Sequence, residues 1–358
     1  GRCIYALTGD YNTAYNSAFA ALYPDPFSAL NMTVNDTILR YGDGSFDTVD
    51  AAFYLAVVGY APTVPNVFVG SGSFNNCEFV GAGNCLEIDG GTYSFNNCHF
   101  HDFTKGGEVG GGTWNFNSCL FERGRGSEYL DIDWTGEGGP VQSTVNLNAS
   151  VFCGSTNGRM IHASECDLTA VATIFNVTET VSNTKPVIRF SPGDYDSDWT
   201  LFLGGNYPAE GSSVTLDQCD VYNPFGVGIL GDDPQDIPGE PVGDLLVTNS
   251  IFVCETPINL IGATGVAARN ATVTNNDLVA TGAVANPDGG WVLSESANLN
   301  EDPDYLAPGF CPTPDTAADS YRNNNDNLTT AGATGGPLGS QGVLEPPNTS
   351  DNKNWKLY

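Results

Sequence analysis

The side chains best suited to catalysis are two carboxylates followed by a cation and an imidazole. Asp131 and Asp133 stand at alternate positions, and Arg159 and His162 follow in the next repeat of the chain. A glycoside hydrolase places two carboxylates about one sugar bond. Chance also produces such a pair readily in a chain with 42 acidic residues. These four residues are therefore only a fallback catalytic set, and the sequence favours a protein that is not an enzyme.

A calcium site is the second chemical possibility. Asp194, Asp196 and Asp198 supply carboxylate oxygens at alternate positions. No glycine turn or closing glutamate follows them as in an EF-hand loop, so a solvated acidic loop is the favoured interpretation. The chain has only three histidines and no Cys-x-x-Cys pair, which disfavours zinc. We predict no cofactor, with calcium as the alternative left open.

The ten cysteines suit an oxidising compartment, and four of them recur at one position of a repeat. Cys77, Cys98 and Cys119 are spaced by 21 residues, and Cys219 fits the same position further along. We expect these four to stack as a buried ladder, because a free cysteine packs as a small apolar side chain. Plausible disulfides, whose connectivity does not follow from sequence, are Cys153–Cys166 and Cys254–Cys311.

Asn-x-Ser/Thr sequons predict N-linked glycans and a secreted chain. Asn148 falls where the repeat directs a side chain outward, as a glycan requires. Some of the sequons are expected by chance in a chain rich in Asn and Thr. The seven candidate asparagines are Asn31, Asn35, Asn148, Asn176, Asn270, Asn327 and Asn348.

One phrase repeats at a fixed interval and must position these residues. Residues 73–79, 94–100 and 115–121 each contain Phe-Asn-x-Cys-x-Phe, and the interval is 21 residues both times. A fixed period of this length is typical of a solenoid. It accommodates three short strands with tight turns, which is one coil of a parallel β-helix whose like residues stack about 4.8 Å apart. Three β-hairpins would instead need turn signals every few residues.

Within the phrase, we expect the first Phe and the Cys to face the interior and the residue before the second Phe to face water. Asn tolerates left-handed backbone angles, so it suits the bend. Weaker copies follow at irregular intervals and raise the total from three to eight, which gives a rod roughly 40–50 Å long. They occupy residues 147–152, 170–175, 216–221, 247–252 and 273–278.

The repeat predicts one domain, because each coil contacts only its neighbours and one core can run the full length. An N-terminal segment, 1–30, contains a predicted amphipathic helix at residues 10–23 that covers the first coil. The parallel β-helix takes residues 31–322. A closing segment and extended tail take residues 323–358, and the part from 343 to 358 ends in aromatic residues that suit contact with a neighbouring copy.

Several segments resemble the right-handed parallel β-helix proteins of the pectin-lyase-like superfamily. Besides the capping helix and the Asn-Cys-x-Phe coils, they are residues 35–39, 42–46, 300–306, 314–319 and 336–339. The resemblance covers about residues 10–345 and implies that right-handed fold. It implies no single activity, because the fold carries lyases, hydrolases, epimerases, adhesins and structural rods. The paired aspartates, Gly-His-Gly and basic triplet of its polygalacturonases are absent in that order.

The net charge of −30 disfavours nucleic acid and anionic lipid as partners. No apolar run is long enough to insert into a membrane. The missing catalytic pattern, the sequons and the aromatic-ended tail favour a secreted structural glycoprotein. We predict the self-assembling subunit of a filament or cell-surface appendage, with copies in head-to-tail contact. The alternatives are a polysaccharide lyase or glycoside hydrolase, and an adhesin that binds carbohydrate or calcium.

Overall fold

A computed structural model gives the fold of this chain. The residues that it describes are 4–8, 30–40, 51–57, 70–81, 83–126, 128–132, 143–154, 159–164, 166–178, 185–191, 212–231, 243–262, 269–280, 284–287, 290–305, 311–314, 316, 321, 325, 327–328, 330–334 and 337–340. The predicted capping helix at 10–23 and the tail at 343–358 lie outside these residues.

The described residues contain 25 β-strands and no helix. In chain order the strands are β1 (Ile4–Thr8), β2 (Leu30–Asn35), β3 (Ile38–Arg40), β4 (Ala51–Val57), β5 (Gly70–Asn75), β6 (Glu78–Val80), β7 (Asn84–Asn96), β8 (His99–His101), β9 (Lys105–Asn117), β10 (Leu120–Glu122), β11 (Glu128–Ile132), β12 (Ser143–Asn148), β13 (Val151–Gly154), β14 (Arg159–Ser164), β15 (Cys166–Val171), β16 (Ile174–Val177), β17 (Ile188–Ser191), β18 (Ser213–Asp217), β19 (Asp220–Gly231), β20 (Asp244–Thr248), β21 (Ile251–Leu260), β22 (Arg269–Thr274), β23 (Asp277–Val279), β24 (Val284–Ala285) and β25 (Trp291–Ser296).

These strands stack in three faces, and the pairings within each face are parallel. Face A runs through β2, β5, the end of β7, the end of β9, β12, β15, β18, β20, β22 and β25. Face B runs from β3 to β23, and face C runs from β1 to β24. We number the coils 1–10 along face A. The predicted all-β parallel β-helix is confirmed.

The 21-residue interval corresponds to one complete coil, because Phe74, Phe95 and Phe116 are direct neighbours across face A. The residue that follows each face A strand turns the chain toward face B with a φ between 47° and 57°. This left-handed region suits Asn and Asp better than other residues with a Cβ. The ten corner residues are Asp36, Asn76, Asn97, Ser118, Ala149, Ala172, Gln218, Asn249, Asn275 and Ala297.

Eight of these corners coincide with the predicted copies of the phrase. The corners at Asp36 and Ala297 belong to coils 1 and 10, which the count of eight left out. Neither copy contains the cysteine or the second phenylalanine, so the phrase is recognisable there only from the strand register.

Stacked aromatic rings fill the interior of the early coils. Ring centroids 4.3–5.3 Å apart follow the coil spacing, so each ring packs on its equivalent in the next coil. One stack contains Phe74, Phe95 and Phe116, and the other contains Phe79, Phe100, Phe121, Phe152 and Phe175.

The chain returns across face B after β25. We call the described residues between Leu299 and Ser340 the C-terminal strap. Tyr321 packs on Leu120 and Ile174 of face B, while Leu328 and Leu338 of the strap pack on Ile251. Leu120 was predicted to face water and is only 8% exposed, because the strap covers it. In the part of the chain that is described, no helix is long and apolar enough to cross a membrane.

Candidate functional site

An outward row on face C brings two of the predicted catalytic residues together. Glu108, Asp131, His162 and Arg189 lie on β9, β11, β14 and β17 and are paired in register from one coil to the next. Like positions of parallel strands stack about 4.8 Å apart, so the side chains form one row along the rod.

Asp131 is the centre of a hydrogen-bonded group within this row. Its Oδ1 lies 2.9 Å from Nδ1 of His162, and its Oδ2 accepts a hydrogen bond of 2.7 Å from Nζ of Lys105. Lys105 also donates to Oε2 of Glu108 at 3.2 Å. The side chains of Asp131 and His162 are each 13% exposed, so the contact is largely shielded from water.

The electrostatics of this group keep Asp131 ionised. Burial alone would raise the pKa of Asp131, but the hydrogen bond with His162 and the charge of Lys105 lower it to about 2. Burial alone would lower the pKa of Lys105, and the carboxylates of Asp131 and Glu108 raise it above its usual value. A carboxylate and an ammonium group therefore face each other at neutral pH.

The second ring nitrogen of His162, Nε2, is the atom of this group whose hydrogen-bonding capacity is not used within the described part of the chain. Nε2 is buried and has no hydrogen-bond partner among the described residues. In the neutral imidazole, a proton on Nδ1 bonds to Asp131 and leaves Nε2 as an acceptor. A histidine oriented in this way can take a proton from a bound hydroxyl or carbon acid.

The other two members of the fallback catalytic set do not join this group. Arg159 pairs with Glu128 on the neighbouring coil, where its Nε lies 3.2 Å from Oε1. Asp133 lies outside the described residues. Asp131 and Asp133 are thus not seen together, and the group consists of the carboxylates of Asp131 and Glu108, the imidazole of His162 and the ammonium of Lys105.

A second polar group lies on face B and was not predicted. Nε2 of His101 lies 2.8 Å from Oε1 of Glu78, and Nε2 of His99 lies 3.0 Å from Oε1 of Glu122. Arg123 adds a contact of 2.6 Å to Glu122. The hydrogen bond from His99 lowers the pKa of Glu122 below its usual value. The sequence signal was the alternation of Glu and His at outward positions of successive phrases.

The structure corrects both proposed disulfides, because Cys153 is bonded to Cys311. Cys153 lies on the outward side of β13, where the returning strap passes. Cys166 is the first residue of β15 on face A, and Cys254 is buried on β21. Neither forms the disulfide that was proposed for it. No sequence pattern indicates that the C-terminal segment returns over face B.

A buried carboxylate fixes the strap further along face B. Asp220 is 1% exposed, and its Oδ1 accepts a hydrogen bond of 2.6 Å from the hydroxyl of Tyr305. Its Oδ2 accepts from the backbone N–H of Ser340 at 2.8 Å and from the Ser340 hydroxyl. Burial raises the pKa of Asp220 to about 6, and these hydrogen bonds oppose the rise only in part.

The predicted cysteine ladder occupies the inward position after each corner. Cys77, Cys98, Cys119 and Cys219 are at most 1% exposed. The thiol of Cys98 donates to the carbonyl oxygen of Phe74 at 3.3 Å, which ties one coil to the coil before it. Burial raises the pKa of Cys98 and Cys219, so these two thiols are neutral. The same position in other coils carries Thr37, Ser150, Thr173, Ser250, Asn276 and Asn298.

The sequon asparagines fall in three environments. Asn176 is fully buried and lies 3.6 Å from the sulfur of Cys153, so the folded chain leaves no room for a glycan there. Asn348 lies outside the described residues, and Asn327 is exposed on the strap. The remaining four are exposed on face A, and they are Asn31, Asn35, Asn148 and Asn270.

The calcium candidates Asp194, Asp196 and Asp198 lie outside the described residues. Within the described part of the chain, no group of three or more His, Cys, Asp or Glu side chains could hold a metal ion.

The stacked parallel strands and the Cys153–Cys311 disulfide define the class of the protein. It is a parallel β-helix whose C-terminal strap is attached along face B by a disulfide. No protein-family model matches the chain, and no curated protein or solved structure matches it.

Proposed function

We propose that this chain is a secreted structural glycoprotein that assembles head to tail into a filament or cell-surface appendage. The observation that carries the proposal is the outer edge of face A at each end, which pairs with no other strand among the described residues. Among the described strands, β2 pairs only with β5, and β25 pairs only with β22. Within the described part of the chain, the outer edge of each terminal strand therefore carries a row of N–H and C=O groups without a strand partner.

The side chains at the two ends suit the same contact. Met32 and Val34 of coil 1 and Leu293 of coil 10 pack against the core but are only partly buried, because no further coil of the described residues stacks on them. Stacking coil 10 of one copy on coil 1 of the next would extend the parallel ladder and bury these groups. A contact between different ends is heterologous and repeats without closing, which builds a filament.

Glu295 makes this edge selective. It takes an inward position on β25, paired with Val273, and is exposed at the open end. An inward charge on an edge strand opposes unspecific pairing, because its carboxylate loses hydration when it is covered. Coil 10 therefore joins only a partner that leaves this carboxylate hydrated or supplies it with a donor.

Resemblance and composition support the same proposal. The resemblance of its coils and closing segment to the pectin-lyase-like superfamily supports the proposal that the chain is a non-enzymatic member of that group. The net charge of −30 and the exposed sequons suit a soluble extracellular subunit.

Variants of the last coil test the assembly proposal. Leu293→Lys places a charge at the contact and should abolish filaments, whereas Glu295→Leu should strengthen assembly. Leu246→Lys adds the same charge on face A two coils away and serves as the control. Removing residues 343–358 should also abolish assembly while leaving the fold intact. Sedimentation and negative-stain microscopy would measure assembly, and equal assembly of all variants would contradict the proposed contact.

A polysaccharide-active enzyme is the second candidate, favoured by the Nε2 of His162 beside Asp131, an atom that no described residue hydrogen-bonds. A lyase or hydrolase working here should release unsaturated sugars or reducing ends from a polysaccharide panel. His162→Gln should abolish that release. His99→Gln, which changes an outward histidine on another face, should not. No release from any substrate of the panel would remove this candidate.

A further inference from the structure

The outward side of face A is uncharged over coils 1–5. The three outward positions of each strand carry only Asn, Ser or Thr, although the whole chain has 54 charged residues, 42 acidic and 12 basic. These positions form three straight rows across five strands. We call this surface the platform, and its residues are Asn31, Thr33, Asn35, Ser71, Ser73, Asn75, Thr92, Ser94, Asn96, Thr113, Asn115, Asn117, Thr144, Asn146 and Asn148.

The platform stops at coil 6, where the same rows begin to carry Asp167, Asp217, Asp244, Leu246 and Val292. Covering a charged surface removes water from ionised groups at a high cost, while hydroxyl and amide groups can exchange water for another hydroxyl. The platform is therefore the part of face A that a layer of hydroxyl-bearing molecules can cover at least cost.

One row of the platform is a continuous ladder of side-chain amides. Each Nδ2 donates to the Oδ1 of the preceding coil, at 2.8 Å from Asn75, Asn96 and Asn117 and at 3.0 Å from Asn148. Asn35 accepts the first of these bonds. Each interior amide uses one N–H and one lone pair in the ladder and keeps its second N–H for a ligand above it. Asn96 and Asn117 also keep a lone pair, whereas the Oδ1 of Asn75 accepts a further hydrogen bond of 3.2 Å from the Ser73 hydroxyl.

The two ends of this ladder, Asn35 and Asn148, are sequons. A sugar on Nδ2 turns the primary amide into a secondary amide, which prefers the trans form with its N–H opposite the carbonyl. In a stack of parallel amides, that N–H is the one that points along the ladder. A glycan on Asn148 would therefore keep the bond to Asn117, and a glycan on Asn35 would keep the bond from Asn75.

The inward residue after each corner determines which asparagines of the ladder belong to an Asn-x-Ser/Thr sequon. Thr37 and Ser150 stand two residues after Asn35 and Asn148 and complete a sequon at each end. In the three coils between them, the same corner position holds Cys77, Cys98 and Cys119, so no Asn-x-Ser/Thr sequon forms. The thiols make the same inward hydrogen bond as the hydroxyls, to a carbonyl of the preceding coil.

We infer that Asn35 and Asn148 carry N-linked glycans that lie over the platform between them. The inference rests on the glycoprotein part of the proposed function and names the surface that these glycans cover. The ligand class is a neutral oligosaccharide attached to the chain itself, whose hydroxyls bond the spare amide and hydroxyl groups of the platform. Four coils separate the two attachment points, a distance of roughly 19 Å along the rod.

Asn176 is the contrasting sequon. It lies beside Cys153, whose disulfide with Cys311 holds the strap. A glycan on Asn176 and a docked strap exclude each other sterically, so Asn176 should be unmodified in every molecule that contains the disulfide.

Site-by-site glycan mapping of the secreted full chain by mass spectrometry tests the attachment. The inference expects glycans on Asn35 and Asn148 and none on Asn176. Unmodified Asn35 and Asn148 would overturn it. Filaments formed by a chain without these glycans would leave the assembly proposal standing, so the two proposals fail separately.

The rate at which an amidase removes each glycan from the native protein tests the packing. Glycans on Asn35 and Asn148 should be released several-fold more slowly than the glycan on Asn270, which lies on face A outside the platform. Ser94→Glu combined with Asn115→Glu should remove this protection, and Thr215→Glu, on face A in coil 7, should not. Equal release rates in the parent protein, or rates unchanged by the platform substitutions, would show that the glycans do not lie on the platform.

Discussion

Coils 2–4 and coils 7–9 share one backbone plan but are stabilised in different ways. In coils 2–4, phenylalanine rings stack inside, and the outward side of face B carries the charged group around His99 and His101. In coils 7–9, the interior rows are mostly aliphatic, and the C-terminal strap covers the outward side of face B. The repeat therefore tolerates either an aromatic interior or an external cover.

The two regions also differ in the length of their coils. Successive phrases in coils 2–4 are 21 residues apart, while Leu216, Val247 and Val273 of coils 7–9 are 31 and 26 residues apart. Every coil of the regular region repeats the same side chains at the same height, so the rings stack. Where loops are inserted and side chains become smaller, the strap supplies apolar burial from outside.

Releasing the strap should have the largest effect and should act on one region only. Cys311→Ser removes the bond to Cys153, and loss of such a cross-link typically costs about 2–4 kcal/mol. Hydrogen exchange should become faster in coils 4–9, whose face B contacts the strap, and stay unchanged in coils 2 and 3. Cys98→Ser, which keeps the inward hydrogen bond, is the control. Equal acceleration in both regions would contradict the division.

The stability of the covered region should depend on pH. Burial raises the pKa of Asp220 to about 6 from an ordinary 3.8, so its protonated form is favoured in the folded state. Stability should be greatest below the ordinary pKa and fall as pH rises through about 6, by up to about 3 kcal/mol. Denaturant midpoints at acidic and neutral pH measure this. Asp220→Asn should reduce this difference in stability. Part of the difference should remain in the variant, because burial also raises the pKa of Asp277 to about 6.

Replacing one ring in each region compares the two interiors directly. Phe100 stacks on Phe79 and Phe121, whereas Phe252 lies in the same row between Val221 and Leu278. Phe100→Leu should lose two ring contacts and cost about 1–3 kcal/mol. Phe252→Leu should cost less than about 1.5 kcal/mol. Chemical unfolding would measure the loss of stability in both variants. Equal losses would mean that ring stacking does not distinguish the two regions.

The smallest expected effect concerns the corners. Ala149 has a φ of 47°, in the left-handed region that Asn tolerates better. Ala149→Asn should stabilise the chain by about 0.5–1 kcal/mol, and Asn97→Ala should destabilise it by a similar amount. Thermal unfolding measures both changes, and a shift of the same sign in the two variants would contradict this explanation of the corners.

The sequence predicted the features that depend on local repetition. The phrase determines register, corners and the cysteine position, because parallel stacking places like residues above one another. The disulfide between Cys153 and Cys311 and the burial of Leu120 could not be predicted, because both result from a segment that returns across 158 residues of sequence. Asp131 and His162 were named as a set, but their contact follows only from the alignment of β11 with β14.

The most direct measurement of head-to-tail assembly is electron microscopy of the natively isolated protein, before any denaturing or deglycosylating step. We predict regular filaments with an axial repeat of roughly 48 Å, the height of ten coils. Uniform single particles would contradict assembly through the open edges of face A. The group around Asp131 and His162 would then be the first place to look for polysaccharide cleavage.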